Sequence, residues 1–496
     1  MRSFCIALAA LAAQLAEAQS SWAVGQGVRT RSGFTVTGRK GRLAPEVSEY
    51  LGVPYAAPPV GNLRWKPPQP YKGNGTIKAT DFGPSCPSRD AISSKTQDED
   101  CLTLNIWTKM QTGEKAKAVL VSIYGGGFNV GESRTPYLNG APLADQQDVV
   151  VVSMNYRLNI FGFPGVPGFE HQNMGMEDIR ASIEWVRDNI AAFGGDPKRI
   201  TLFGESAGGG ATDAYAFAWP EDPIVAGFIP QSGSVFTRGI SDKNNLGPWF
   251  NASSKLGCGG PEAGEKSIPC MRTKSWRQIM KYVNTGPRVP GTTFGPTYDD
   301  KIIWEDYAAR VKLGAFAKRP TFTGSTHNEG GFFRVVKRQM TDSDVTRMNL
   351  CFTCVAMKSA KARIDYKIPI WRYRYFADYP NNRIMPGAGA YHGSELPLVF
   401  GTPKLHNNNG SSKDTADEAA LTKVMMTAWA NFAKDPEHGL TKLGYKAYDP
   451  NDTTLIRFGF NNKPEVSYGN PNEYDKDCTK YEVSTDSIDT ILGQYP

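Results

Sequence analysis

Residues 200–214 are the stretch that most constrains how this chain can fold. A β-branched, apolar run at 200–203 leads into Gly204, Ser206 and Gly208, which form a G-x-S-x-G pattern. A serine at the tip of a strand-to-helix turn has a strained backbone, and its neighbours two positions away must be small so that strand and helix can pass closely. The hydroxyl then lies at a helix N-terminus, where the dipole favours developing negative charge. The pattern predicts a strand, a sharp turn and a helix, with Ser206 as a nucleophile.

Apolar runs with the length of strands alternate along the chain with segments of helical periodicity. The runs at 117–124, 149–154, 200–203 and 226–229 are mostly apolar, whereas 177–192 repeats apolar residues at helical spacing. Strands without polar alternation are typical of a parallel sheet with both faces covered. We therefore expect the α/β class, with a central, mostly parallel sheet covered by helices on both faces.

The first 18 residues have the composition of a secretory signal peptide. Arg2 provides a positive charge, residues 5–15 are almost wholly apolar, and residues 16–18 have the small-x-small form of a cleavage site. The apolar run is too short to span a bilayer, and no later run is long enough. We expect a secreted, extracellular protein that forms a single domain over 19–496, because no internal repeat or linker divides it.

The positive net charge does not indicate a nucleic-acid partner. The formal net charge is +7, but the basic residues are dispersed, and no motif of basic and aromatic residues typical of nucleic-acid binding occurs. A solvated surface is the ordinary reason for such a balance. We expect a small-molecule partner and no nucleic acid.

The cysteines outside the signal segment indicate disulfides, because a secreted chain meets an oxidising compartment. Two pairs are close in sequence and are interpreted as local disulfides: Cys86 with Cys101, and Cys258 with Cys270.

Three further cysteines are Cys351, Cys354 and Cys478. The C-x-x-C spacing of Cys351 and Cys354 also occurs in redox and zinc sites, but no paired histidine or second C-x-x-C stands nearby. A long-range bridge from Cys354 or Cys351 to Cys478 is the preferred interpretation, and no metal site is expected.

Four sequons lie in turns rich in Gly, Asn or Asp and fit N-glycosylation in a secretory route. They begin at Asn74, Asn251, Asn409 and Asn451.

A serine nucleophile needs a general base, and histidine suits neutral pH. His392 lies among glycines and alanines at 387–394, which let a histidine loop approach a crowded site. In the chain order nucleophile, acid, histidine, His392 is the predicted base and His327 is its rival. Two other histidines lie in polar stretches where solvation is expected, and a third precedes the serine: His406, His438 and His171.

The acid should follow a strand between Ser206 and His392. A strand is expected at 321–323, and Glu329 lies in the loop after it, beside two glycines. Glu329 is therefore the predicted acid, and an exposed loop carboxylate is the alternative.

A run of three glycines supplies candidate donors for an oxyanion hole. Gly125, Gly126 and Gly127 follow the strand predicted at 117–124 and can present backbone N–H groups without obstruction. The N–H of Ala207 would add a donor. A flexible glycine turn is the alternative, but the position after a buried strand favours the oxyanion hole.

Together these features resemble the type-B carboxylesterase/lipase family of α/β-hydrolases, especially its secreted fungal members, over nearly the whole mature chain. The resemblance rests on motifs at residues 99–105, 125–128, 155–158, 193–197, 204–209, 328–330 and 392–395. It implies the α/β-hydrolase fold, two local disulfides that match the local cysteine pairs, and no cofactor. The site residues it implies are a nucleophile, an acid, a base and three oxyanion-hole donors: Ser206, Glu329, His392, Gly126, Gly127 and Ala207.

Three features depart from the pattern of the family. Tyr124 stands where many members have His before the glycines, and Asn328 stands where many have Asp before the acid. The segment between Cys86 and Cys101 is short and polar and contains no Trp. Cholinesterases of this family carry a choline-binding Trp there and lipases carry a lid, so neither specialisation is expected.

The sequence therefore predicts a secreted serine carboxylic-ester hydrolase that works through an acyl-enzyme on short or medium acyl esters or on aromatic esters. Two alternatives remain open: a lipase acting on long-chain lipid esters, and a non-catalytic binding protein of the same fold.

Overall fold

The structure, a computed structural model, describes residues 22–89, 96–237, 247–283, 294–406, 413–480 and 488–493. The predicted signal peptide at 1–18 lies outside the described residues. The described strands are β1 (Gly27–Arg29), β2 (Thr35–Thr37), β3 (Arg39–Lys40), β4 (Ser48–Pro54), β5 (Thr76–Lys78), β6 (Thr103–Thr108), β7 (Lys117–Ile123), β8 (Val150–Met154), β9 (Gly195–Glu205), β10 (Gly227–Gln231), β11 (Thr321–Thr326), β12 (Ile370–Tyr375), β13 (Leu455–Phe458) and β14 (Ser467–Gly469).

Eleven strands form one sheet, in the order β14-β13-β12-β11-β10-β9-β7-β8-β6-β4-β3. Neighbouring strands from β13 to β8 are parallel, whereas the pairs toward both edges are antiparallel. The strands β1, β2 and β5 form a separate small sheet. The mostly parallel centre was predicted, and it brings the carboxyl ends of seven strands and their following loops to one edge, where ligand sites of such sheets occur.

Helices connect these strands. They are α1 (Ala141–Gln147), α2 (Asn159–Gly162), α3 (Met174–Asn189), α4 (Ala207–Ala218), α5 (Gly247–Lys255), α6 (Ser267–Arg272), α7 (Trp276–Met280), α8 (Tyr307–Lys312), α9 (Gly330–Val336), α10 (Asp342–Ile364), α11 (Leu396–Phe400), α12 (Pro403–His406), α13 (Ala416–Lys434), α14 (Gly439–Lys442), α15 (Asn472–Asp475) and α16 (Ile488–Gly493). Among the described residues, no helix is long and apolar enough to cross a membrane.

Strand β12 shows how helices cover both faces of the sheet. Successive side chains of a strand point to opposite faces. Tyr373 packs against Trp429 of α13, with ring centroids 5.3 Å apart. Arg374, the next residue, donates a hydrogen bond of 2.8 Å to the Thr353 hydroxyl of α10. The strand is therefore buried on both faces, which explains why its residues do not alternate between core and solvent.

The predicted elements are present, but tertiary contacts move their ends. The strand predicted at 321–323 continues to Thr326, because Ser325 and Thr326 pair with Arg374 and Tyr375 of β12. The helix predicted over 177–192 begins at Met174, and its last predicted turn is a 3₁₀ helix.

Three disulfides join described residues: Cys86–Cys101, Cys258–Cys270 and Cys354–Cys478. Of the two alternatives open for the long-range bridge, the structure contains the one through Cys354. Cys351 lies one turn earlier on α10, is buried, and takes part in none of the three disulfides. The long-range bridge attaches the turn at 476–480 to α10.

Three of the four sequon asparagines are exposed, as glycosylation requires: Asn74, Asn251 and Asn451. Asn409 lies outside the described residues.

The long-range disulfide should contribute more stability than either local one. Replacing Cys354 and Cys478 by Ser opens a loop with a sequence separation of 124, which should lower the free energy of unfolding by about 5 kcal/mol. Replacing Cys258 and Cys270 opens a separation of 12 and should cost about 3 kcal/mol. Urea unfolding of both double variants measures the difference.

Peptide mapping without reduction supplies the control. It should recover the three linked peptide pairs from the native protein. A peptide that links Cys351 to Cys478, or a larger loss of stability from the local pair than from the long-range pair, would contradict the assignment.

Candidate active site

Ser206 lies at the turn between β9 and α4, with φ 59° and ψ −123°. Its N–H donates to the Gln231 carbonyl of the neighbouring strand at 2.9 Å. A Cβ on Gly204 would lie 2.6 Å from the backbone of Gly208, and a Cβ on Gly208 would lie 2.1 Å from the Ile123 carbonyl oxygen. No side chain fits at either distance, so glycine alone lets β9, α4 and the end of β7 approach so closely.

Three glycines leave the end of β7 and turn against this serine; we call Gly125, Gly126 and Gly127 the glycine loop. A Cβ on Gly125 would lie 2.9 Å from the Cβ of Ser206. Gly126 and Gly127 have φ of 119° and 60°, in the left-handed region. Within the described ranges, neither of their N–H groups donates a hydrogen bond. The glycine loop therefore holds two unused backbone donors near Ser206.

A carboxylate from the end of β11 meets a histidine from the loop before α11. His392 Nδ1 lies 2.5 Å from Glu329 Oε2. Glu329 Oε1 accepts from the Ser232 hydroxyl and from the Thr326 N–H, each at 2.7 Å. Glu329 is 0% exposed and His392 is 8% exposed. These bonds fix the carboxylate and orient the ring, so the structure brings together the acid and base predicted from the sequence.

Ser232, the donor to Glu329, belongs to none of the motifs that predicted the site. It follows β10 directly and has φ 45°, and the next residue, Gly233, packs so closely that its Cβ would lie 2.1 Å from the Ser206 carbonyl oxygen. The signal in the sequence was the run of small polar residues that follows β10, the strand that pairs with β9 and its Ser206 turn.

The second ring nitrogen of His392, Nε2, lies 3.2 Å from Glu205 Oε1. This contact lacks hydrogen-bond geometry, and neither atom has a hydrogen-bond partner among the residues that the structure describes. Glu205 directly precedes Ser206, so Nε2 lies at the Ser206 turn. Because Glu329 occupies Nδ1, Nε2 is the nitrogen that can exchange a proton there.

Buried carboxylates control the charge of His392. Burial lowers its pKa, but the charges of Glu205 and Glu329 outweigh burial and raise the pKa to about 9. Burial also raises the pKa of Glu205 and of Glu395, whose Oε1 accepts from the Gln231 amide at 3.1 Å. The site therefore favours a charged imidazolium at His392.

Three aromatic rings surround the His392 ring. Their centroids lie 4.6 Å away for Phe352, 5.2 Å for Phe333 and 6.1 Å for Phe332. Phe332 and Phe333 belong to α9 and Phe352 to α10. Phe352 is buried, whereas Phe332 is 36% exposed. We call these residues the phenylalanine wall. No sequence pattern indicates the wall, because the three rings converge only through the packing of α9 and α10.

The rival histidine, His327, lies in a different environment. Its Nδ1 accepts from Arg374 Nε at 3.1 Å, and its ring packs on Phe376 with centroids 4.6 Å apart. Burial and the charge of Arg374 lower its pKa to about 4. It has no contact with a carboxylate among the described residues, so it lacks the acid that a base would need.

Among the described residues, the other three histidines contact side chains that do not belong to the Ser206 turn. The predicted solvation is correct for His438, whose side chain is 64% exposed. It is wrong for His406, because Tyr137 and Tyr391 cover its ring, and burial lowers its pKa to about 4. His171 pairs at 3.8 Å with Glu177 of α3.

Comparison with known proteins places this chain in a family. The profile of the carboxylesterase family matches residues 25–350 and 340–477. The chain is 34% identical over 453 residues to chlorogenic acid esterase of Aspergillus niger, covering 87% of each chain. It is 32% identical over 481 residues to secreted lipase 5 of Gibberella zeae, covering 86% of this chain and 88% of the lipase. It is 30% identical over 454 residues to para-nitrobenzyl esterase of Bacillus subtilis, covering 82% of this chain and 90% of that enzyme.

A solved structure of a PNB esterase matches with a TM-score of 0.77 at 27% identity, covering 92% of this chain and 100% of the other. The predicted α/β-hydrolase fold is confirmed, and so is the prediction of a carboxylic-ester hydrolase. The chain belongs to the carboxylesterase family, the type-B carboxylesterase/lipase family that its motifs resemble.

Proposed function

We propose that this chain cleaves esters through an acyl-enzyme, with Ser206 as nucleophile, His392 as general base and acid, and Glu329 as the acid that orients the histidine. The observation that carries the proposal is the 2.5 Å contact of His392 Nδ1 with Glu329, which leaves Nε2 at the Ser206 turn. This is the arrangement of a serine, a base and an orienting carboxylate that acyl transfer requires.

In the first half of the reaction, His392 Nε2 takes the Ser206 proton while Oγ attacks the ester carbonyl carbon. The carbonyl oxygen becomes an oxyanion, which accepts hydrogen bonds from the N–H groups of Gly126, Gly127 and Ala207. The imidazolium then donates its proton from Nε2 to the leaving alcohol, and the acyl group remains on Ser206.

In the second half, water replaces the alcohol and loses a proton to His392 as it attacks the acyl carbon. The bond from the acyl carbon to Ser206 Oγ then breaks, the carboxylic acid leaves, and Oγ takes the proton back from His392 Nε2. Glu329 accepts a hydrogen bond from Nδ1–H throughout. The carboxylates that raise the pKa of His392 support this cycle, because they stabilise the imidazolium that forms in each half.

The phenylalanine wall supports short or medium acyl esters, or aromatic esters, as substrates. Its rings lie within 6.1 Å of the His392 ring, so an acyl or alcohol group bound at Ser206 would contact aromatic surface, and aromatic pairs stabilise beyond their buried area. One relative is named for an aromatic ester, chlorogenic acid, and another for a para-nitrobenzyl ester.

We also infer that the protein is secreted after removal of residues 1–18. Three disulfides and exposed sequon asparagines suit an extracellular protein, and one relative is named a secreted lipase.

A lipase is the second candidate function, and the similarity to secreted lipase 5 favours it. The segment between the first two disulfide cysteines argues against a mobile lid there, because its described ends are held by polar contacts. Glu99 forms a buried ion pair with Arg64 at 2.6 Å, and the Gln97 amide donates to the Ser88 hydroxyl at 3.1 Å. Residues 90–95 lie outside the described residues.

Removing the nucleophile tests the mechanism. Ser206→Ala should lower kcat for p-nitrophenyl acetate by about 10⁴-fold or more while the far-UV circular dichroism stays native. His392→Ala should be comparably severe, and Glu329→Gln should be milder because the acid assists rather than reacts.

His327→Gln is the matched control. His327 is the rival histidine and follows β11, as Glu329 does, and a glutamine keeps an acceptor for Arg374. It should retain most of the activity. Activity retained in Ser206→Ala would remove this serine from its role, and a larger loss in His327→Gln than in His392→Ala would show that the base is misassigned.

Removing the charge of Glu205 should shift the pH profile of kcat/KM. The base acts only when neutral, so kcat/KM rises as the pH increases through the pKa of His392 in the free enzyme. Of the charges that raise this pKa, that of Glu205 makes the largest contribution. Glu205→Gln should therefore let the proton leave at lower pH and move the acidic limb of kcat/KM down by about one pH unit.

The control is Glu184→Gln, which removes a half-exposed carboxylate of α3 that pairs with Arg180 and should leave the limb unmoved. Profiles from about pH 5 to 10 decide. A limb that stays in place in Glu205→Gln, or moves to higher pH, would contradict the electrostatic account.

Substrate range separates esterase from lipase. Butyryl p-nitrophenyl esters should be cleaved faster than palmitoyl esters, and the rate on tributyrin should not rise sharply when droplets form.

Phe332→Ala should raise KM for a p-nitrophenyl cinnamate by about fivefold, since an aromatic pair contributes about 1 kcal/mol. Val336→Ala, one turn further along α9 and 55% exposed, should leave KM unchanged. Interfacial activation would favour the lipase.

A further inference from the structure

Tyr124 and Tyr156 form a reciprocal pair at the ends of the neighbouring strands β7 and β8. Their rings stack with centroids 4.6 Å apart. The Tyr156 hydroxyl donates to the Tyr124 carbonyl at 3.0 Å, and the Tyr124 hydroxyl donates to the Tyr156 carbonyl at 3.3 Å. Both residues are buried, and burial raises the pKa of both hydroxyls. Both hydroxyls therefore remain protonated donors over the working range of an esterase.

The two bonds are alike in chemistry but reach different peptides. The Tyr124 carbonyl belongs to the peptide that leads into Gly125, the first residue of the glycine loop. It also lies against the start of α4, because a Cβ on Gly208 would come within 3.0 Å of it. The Tyr156 carbonyl belongs to the peptide that leads into Arg157. Only the Tyr156 hydroxyl therefore bonds the peptide from which the oxyanion donors extend.

The glycine loop depends on such outside contacts, since three successive glycines have little conformational preference of their own. The turn after β8 contacts the loop at both ends: Tyr156 holds the peptide before it, and the Asn159 N–H donates to the Phe128 carbonyl just after it, at 2.8 Å. Arg157 ties this turn to Asp178 through a buried ion pair of 2.7 Å and a backbone hydrogen bond of 3.0 Å. The turn is therefore a fixed support for the loop.

We propose that Tyr156 is a positioning residue for the oxyanion hole: its hydroxyl orients the Tyr124–Gly125 peptide and thereby the N–H groups of Gly126 and Gly127. The inference rests on the proposed function, because it presumes that these N–H groups stabilise an oxyanion. Donors act only when they are aimed at the position of the oxyanion. Loss of the support should therefore weaken binding of the transition state and leave ground-state binding of the ester unchanged.

Tyr156→Phe and Tyr124→Phe form a matched pair for the test. Each deletes one hydroxyl from the same stacked rings and leaves one buried carbonyl without its donor, so their structural costs should be similar. We would measure kcat and KM for p-nitrophenyl butyrate per titrated active site, the melting temperature, and inhibition by a trifluoromethyl ketone. Ser206 Oγ adds to the ketone carbon, its proton passes to His392 Nε2, and the ketone oxygen becomes the oxyanion.

Tyr156→Phe should lower kcat by about tenfold and leave KM within about twofold, because a misaimed donor retains part of its effect. Affinity for the ketone should fall by the same factor as kcat/KM. Tyr124→Phe should change each value by less than about twofold at a similar melting temperature. Replacement of Tyr156 by p-aminophenylalanine, which keeps a donor at the same place, should restore kcat.

Equal losses of kcat in the two Phe variants, in step with their melting temperatures, would overturn the inference, and so would a normal kcat in Tyr156→Phe. The p-aminophenylalanine variant keeps the test decisive if Tyr156→Phe does not fold, since a low kcat despite the restored donor would also overturn it. Activity in Ser206→Ala would instead overturn the proposed function, so the two failures are distinguishable.

Discussion

The close approach of three backbone segments around Ser206 is the constraint on which the rest of the site depends. The end of β7, the end of β9 and the start of α4 pass within distances that exclude any side chain at positions 204 and 208. That contact holds the serine in a strained conformation with φ 59° and sets its hydroxyl at the start of a helix. A larger residue at either position would separate the serine from the glycine loop.

Parallel strands supply the rest of the site because their carboxyl ends share one edge of the sheet. The glycine loop follows β7, Ser232 follows β10, and Glu329 follows β11. Each group therefore stands on a rigid strand and needs only a short loop to reach its position. His392 is the exception, because it comes from a loop before α11 and is held by its bond to Glu329.

Buried charged side chains are paired differently around His392 and in the rest of the fold. Elsewhere in the described part of the chain, four buried arginines each meet one carboxylate: Arg64 with Glu99, Arg157 with Asp178, Arg363 with Asp213, and Arg372 with Asp475. Around His392, by contrast, several carboxylates converge on one imidazole. Such an excess is costly to bury, and its result is a histidine that holds a proton strongly. Perturbed groups of this kind concentrate at functional sites.

Glu329 and part of the phenylalanine wall belong to one short piece of chain. Glu329 directly precedes α9, and Phe332 and Phe333 lie on the first turn of that helix. Two glycines fix the start of the helix, because a Cβ on Gly330 would lie 2.7 Å from the Val345 carbonyl oxygen and a Cβ on Gly331 would lie 2.4 Å from the Ala388 carbonyl oxygen. Substitutions at Phe332 or Phe333 can therefore alter the wall while these two glycines keep Glu329 in place.

The sequence by itself determined the features that local sterics and strand order control. The turn at Ser206 follows from the spacing of its glycines, and the order of strand ends indicated Glu329 and His392, which the structure places in contact. Apolar runs predicted the parallel sheet, although the pairing of β11 with β12 extended one strand beyond its expected end.

Only the tertiary structure decided which distant segments meet. It placed Cys354 rather than Cys351 opposite Cys478, packed the half-buried His406 against two tyrosines, and brought Ser232 to Glu329. It also paired Tyr124 with Tyr156 and set the phenylalanine wall around His392. Local periodicity carries the preference of a residue for core or solvent, but a contact between residues far apart in sequence depends on how whole strands and helices pack.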